Sequence, residues 1–173
     1  MASGLPAKKI LVVDDDPVIL KALSWDLEHG GYEVITAVDG PAAFAAVRRQ
    51  KPDLILLDHF FPPDAFQSGN TWDAFLIIQW LQRMRASGTP RLPVIVMSGA
   101  EPEEFRPRCL AAGAAAYFQK PLRVPELLAA IQQATGAPVN DRTIGLPPVI
   151  NSDPLRPGSI SAAPAATGPK PGS

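Results

Sequence analysis

Five short runs, KILVV (9–13), EVITA (33–37), LILL (54–57), PVIVM (93–97) and AYFQ (116–119), are mostly apolar along their whole length and are separated by stretches of helical period. A strand with one wet face alternates apolar and polar residues, whereas a run apolar throughout must be covered on both sides. Between the runs lie PVILKALSWDLEHGG, with Leu20, Leu23 and Leu27 on one face and Gly30-Gly31 as a stop, then PAAFAAVRRQ, TWDAFLIIQWLQRMR, EEFRPRCLAAGA and VPELLAAIQQA. Alternating βα units with doubly covered strands specify an α/β fold, a doubly wound five-stranded parallel sheet. The expected strand order is 2-1-3-4-5, flavodoxin-like, with the second strand at an edge. Thr71 is the expected cap of the third helix, and Pro107 predicts a fourth helix that starts near Arg106 or is distorted.

Ligands of such sheets gather at the carboxyl ends of the strands. The residues just past the first, third, fourth and fifth runs are Asp14 and Asp15, Asp58, Ser98 and Lys120, and the second run ends only in AVDG. The first run is followed by three consecutive carboxylates, whose mutual repulsion is costly unless something offsets it. Asp16 stands before Pro17, the pattern of an N-cap followed by proline at the first helical position. Asp14 and Asp15 exceed what a cap needs. Together with Asp58 they make a hard-oxygen cluster suited to Mg²⁺ and phosphate oxygens, and one cysteine and two histidines cannot supply a zinc site. Lys120 adds a compact positive charge for a phosphoryl oxygen, and Ser98 a hydroxyl.

Lysine plus arginine number 16 against 17 for aspartate plus glutamate, so no basic field points to direct nucleic-acid binding. The start of the chain is too charged for a signal peptide and no run is long enough for membrane insertion, so the sequence reads as cytoplasmic. Residues 136–173 are rich in proline and small residues and are expected to form a disordered tail without an effector domain.

In combination and in order, ILVVDDDP, PDLILLD with Pro62 four residues on, PVIVMSGA and GAAAYFQKPL resemble the receiver domain of two-component response regulators over about residues 8–135. The resemblance implies that Asp58 is the phosphoacceptor and that Asp14, Asp15, Asp58 and the backbone carbonyl of Phe60 hold Mg²⁺. It implies further that Ser98 reorients toward the phosphoryl group, that Lys120 is its cationic partner, that Tyr117 is the switch aromatic, and that Lys120-Pro121 is a cis peptide. A sensor histidine kinase or a histidine phosphotransfer protein is the implied donor and a downstream protein the implied target. The domain would catalyse only its own phosphorylation and dephosphorylation. A haloacid-dehalogenase-like phosphatase also uses an aspartate nucleophile with Mg²⁺, but wants a second acid where Phe60 stands. A pseudo-receiver serving only as a scaffold would not need Asp15, Asp58, Ser98 and Lys120 together. The loop after Asp58, HFFPPDAFQSGNTW, is longer than the family's, and neither Phe60 nor Ala100 can orient a hydrolytic water, so a persistent phosphorylated state is expected. His59 and Cys109 read as structural residues.

Overall fold

The computed structural model describes residues 6–59, 74–86, 88, 90–99 and 102–136. The elements run β1 (Lys9–Val13), α1 (Pro17–His29), β2 (Glu33–Ala37), α2 (Gly40–Gln50), β3 (Leu54–Asp58), α3 (Ala74–Ala86), β4 (Val94–Ser98), α4 (Pro102–Ala111), β5 (Ala116–Gln119) and α5 (Val124–Thr135). All strand pairs are parallel, as the pattern of apolar runs predicts, and the strands lie in the expected order β2-β1-β3-β4-β5. Among the described residues no helix is long and apolar enough to cross a membrane.

Side chains alternate between the two faces of each strand. Leu11, Val13, Ile55, Leu57, Val94 and Val96 therefore enter one core layer with Ala43 and Val47 of α2, Ile77 and Ile78 of α3, and Cys109 of α4. Ile10, Val12, Leu54, Leu56, Ile95 and Met97 enter the other, against Leu20, Leu23 and Leu27 of α1 and Leu127 and Ile131 of α5. Every residue of β3 and β4 is buried, which explains why these runs carry no polar alternation. Truncating one of their fully buried side chains, such as Leu56→Ala, costs about 2–5 kcal/mol.

Local signals end the elements where expected. The Asp16 carboxylate accepts the Val18 N–H at 2.8 Å and caps α1 ahead of Pro17. Gly31, at φ 87°, takes the left-handed turn that releases the chain into β2. In α4 the expectation of a start near Arg106 is corrected: the helix begins at Pro102 and Pro107 lies inside it. The first four N–H groups of a helix have no internal partner, so a proline just beyond them removes a single early bond, and burial of Cys109 and part of Phe105 offsets that loss. Thr71 and residues 137–173 lie outside the described residues.

Candidate functional site

Register fixes which strand ends meet. Val13 pairs with Leu57, so Asp14 and Asp58 leave β1 and β3 in the same row. Asp58 pairs with Met97 and Ser98 with Gln119, which brings Ser98 and Lys120 to the same mouth of the sheet. Parity then sorts them. Val13 and Leu57 face the α2–α4 layer, so the residues after them turn toward the α1 and α5 side. Phe118 faces that side too, and so does Lys120 two residues on.

The contacts agree with this sorting. Lys120 Nζ lies 2.6 Å from Asp14 Oδ2 and 2.6 Å from Asp58 Oδ1. Asp14 is 1% exposed and Asp58 7%, whereas the Lys120 side chain retains 21% of its exposure. The other Asp14 oxygen accepts the Asp16 N–H at 3.0 Å, so both oxygens of this carboxylate are held. The Lys120 N–H donates to the Ser98 carbonyl at 2.8 Å, and the Lys120-Pro121 peptide is cis. Burial draws the Lys120 pKa down, but the hydrogen bonds and charges of Asp14 and Asp58 outweigh it and raise the value above the ordinary 10.5.

Asp15, the next residue along from Asp14, is exposed, because consecutive residues at a strand end turn opposite ways. The contacts bring Asp14 and Asp58 together through an ammonium, and Asp15 lies exposed next to Asp14 at the end of β1. Among the described residues no group of three metal-ligating side chains converges. Ser98 is 1% exposed at the end of β4, and Tyr117 is 9% exposed within the core layer that also holds Val96 and Cys109. Phe60 and Ala100 lie outside the described residues. A groove lined by Ile19, Ala22, Leu23, Pro121 and Leu122 opens between α1 and the turn after β5 and borders Lys120.

His59, read from the sequence as a structural residue, is packed in the core. It is 2% exposed and its ring packs on Phe75 and Phe105, at centroid distances of 5.6 and 4.5 Å. No local signal marks this packing, since His59 follows Asp58 at the end of β3 and neither ring partner is near it in the chain.

A family model described as "Response regulator receiver domain" matches residues 10–132. The chain is 36% identical over 143 residues to the "Probable transcriptional regulatory protein TcrX" of Mycobacterium tuberculosis, covering 81% of this chain and 56% of that protein. It is 33% identical over 125 residues to the "Alkaline phosphatase synthesis transcriptional regulatory protein PhoP" of Bacillus subtilis, covering 72% and 47%. The chain thus spans about half the length of these curated relatives. Among solved structures, a CheY-like response regulator receiver domain protein from Methanospirillum hungatei superposes with a TM-score of 0.63 at 28% identity, covering 76% of this chain and 95% of that one.

Proposed function

The chain belongs to the response regulator receiver domain family, and on that premise we propose that Asp58 is the residue that accepts the phosphoryl group. The observation that carries this reading is the bridge of Lys120 between Asp14 and Asp58 at 2.6 Å each. A carboxylate can attack phosphorus when nearby positive charge offsets the negative charge of the transferring group. Here the cation is already in contact with the nucleophile. In the proposed step an Asp58 oxygen forms a bond to phosphorus as the bond from phosphorus to a donor histidine nitrogen breaks, and the freed imidazole leaves with the donor. Lys120 neutralises a phosphoryl oxygen, and the Asp14 carboxylate, fixed at both oxygens, holds the ammonium in place. Ser98 is the proposed hydroxyl partner of the bound phosphoryl group and Tyr117 the proposed aromatic switch.

Receiver domains generally use Mg²⁺ at the acidic phosphorylation site, where the ion draws charge from the phosphoryl oxygens. The donor set of this chain fits. Asp14 and Asp58 are hard oxygen donors converging on one point, Asp15 stands beside them, and Mg²⁺, which keeps several waters, needs only one or two carboxylates from the protein. The Phe60 carbonyl is the proposed further donor.

Response regulators partner with sensor histidine kinases, and either such a kinase or a phosphotransfer protein is the proposed donor here, in the cytoplasm. The proposed output is contact with a downstream protein. The named relatives are transcriptional regulatory proteins, so an output on DNA through sequence beyond the matched region is the second reading. Incubation with acetyl phosphate and Mg²⁺ tests the central proposal. Wild type acquires an acid-labile aspartyl phosphate and Asp58→Asn, which keeps the shape and loses the nucleophile, does not; equal labelling of the two overturns it.

A further inference from the structure

Asp58 and His59 leave β3 toward opposite faces of the sheet, Asp58 onto Lys120 and His59 into the aromatic side chains of α3 and α4. His59 is fixed at both ends of its backbone. Its N–H donates to the Met97 carbonyl of β4 at 2.8 Å, and its carbonyl accepts the Ala74 N–H at the start of α3 at 3.3 Å. Its ring meets Phe75 edge-on, 85° between planes, and lies 4.5 Å from Phe105. The Arg108 guanidinium of α4 covers the Phe75 ring at 4.8 Å, within cation–π range. One residue next to the acceptor therefore ties together β3, β4, α3 and α4.

Among its described side chains, the helix on the far side of this contact has few buried anchors. Of the described α4 side chains only Cys109 is fully buried; Phe105 is partly buried, and Arg106, Pro107, Arg108 and Leu110 are exposed. Pro107 also removes one internal hydrogen bond. Among these described side chains, the Phe105 ring on His59 is a large share of what places α4. A segment with few buried contacts is drawn from the low-stability end of the molecule and responds to small changes at its anchors.

We infer that His59 is a positioning residue that couples the acceptor turn to α4: a group added at Asp58 shifts the turn, moves the imidazole between Phe75 and Phe105, and alters how firmly α4 is seated. The inference rests on the phosphoacceptor reading of Asp58. It is distinct from a route through Ser98 and Tyr117, which reaches the same layer from β4 and β5. Ring packing carries it, not charge, so another aromatic at position 59 preserves the coupling.

The test is amide hydrogen exchange of the full chain with Mg²⁺, with and without beryllofluoride as the phosphoryl mimic. In wild type, beryllofluoride changes exchange at the ends of β1 and β3 and, several-fold, in α4. In His59→Ala the response at the strand ends remains and the α4 response falls to less than a third. His59→Phe restores it. Phe105→Leu, which leaves the acceptor turn intact and keeps an apolar side chain, shows the same loss and covers the case in which His59→Ala does not fold. A wild-type response at the strand ends with an undiminished α4 response in the folded variants overturns the coupling alone. No response at the strand ends of wild type overturns the phosphoacceptor reading and the coupling with it.

Discussion

Lys120 and Asp14 form an ion pair across the full width of the chain's order, with the ammonium at the end of β5 lying 2.6 Å from a carboxylate at the end of β1 that is 1% exposed. The same ammonium lies 2.6 Å from Asp58. Without it two buried carboxylates face each other, and their repulsion has no local offset. Lys120→Met therefore destabilises the domain by about 2 kcal/mol at neutral pH, below the 3–5 kcal/mol for breaking a wholly buried pair because the lysine is partly solvated. The same change increases the stabilisation by Mg²⁺, since the metal no longer competes with the ammonium for these oxygens. Thermal unfolding of both proteins with and without MgCl₂ measures this; a smaller Mg²⁺ effect in the variant contradicts the competition.

Asp14 and Asp15 differ in environment, and their variants separate accordingly. Asp15 is exposed, so Asp15→Ala changes stability without Mg²⁺ by no more than about 0.5 kcal/mol and removes most of the Mg²⁺-dependent rise in Tm by mass action. Asp14→Ala removes one of the two carboxylates that Lys120 bridges, together with the acceptor of the Asp16 N–H, and costs about 2 kcal/mol before any metal is added. Equal losses from the two variants in metal-free buffer contradict the division.

The sheet was readable because runs such as Leu54–Ile55–Leu56–Leu57 admit no other arrangement than burial on both faces, and α1 because Asp16-Pro17 is a local signal that needs no tertiary partner. The candidate site was readable to the extent that strand ends in a parallel sheet gather at one mouth. What pattern could not supply was the turning of Asp14 inward and Asp15 outward, which depends on the residue at which β1 stops. The placement of His59 depends on Phe75 and Phe105, which belong to other elements and carry no mark of the contact. The start of α4 was misjudged because proline preference is a local rule, while the helix is set by Cys109 and Phe105 entering the core.

Asp53 staples the start of β1 to the turn before β3. Its carboxylate accepts Lys8 Nζ at 2.9 Å and the Lys9 N–H at 2.9 Å. Burial pulls its pKa up, but these hydrogen bonds and the charges of Lys8 and Lys9 outweigh burial and set it below the ordinary 3.8. A depressed folded pKa adds stability above the unfolded value, and that stability is lost as pH falls through the folded one. Asp53→Asn thus costs about 1 kcal/mol at pH 7, discounted because the side chain is partly exposed, and the gap to wild type closes below pH 3.8. Urea midpoints at pH 7, 5 and 3 measure it, and a gap independent of pH contradicts the ionic staple.

Gly113 leaves α4 toward β5 at φ 105°, a backbone conformation that side-chain-bearing residues rarely adopt. A Cβ placed there meets Gln82 Nε2 at 2.5 Å, and that amide also donates to the Ala112 carbonyl, tying α3 to the end of α4. Gly113→Ala therefore carries two separable penalties, a backbone strain of about 1–2 kcal/mol and the displacement of Gln82 from its acceptor, about 1 kcal/mol. Gln82→Ala alone loses the hydrogen bond. In the double variant the collision is absent and only the strain is added, so the two losses sum to more than the loss measured for the double variant. Urea unfolding of the four proteins gives the coupling. Strict additivity means that Gln82 does not contact position 113, and a double variant as stable as Gln82→Ala means that the backbone there relaxes without cost.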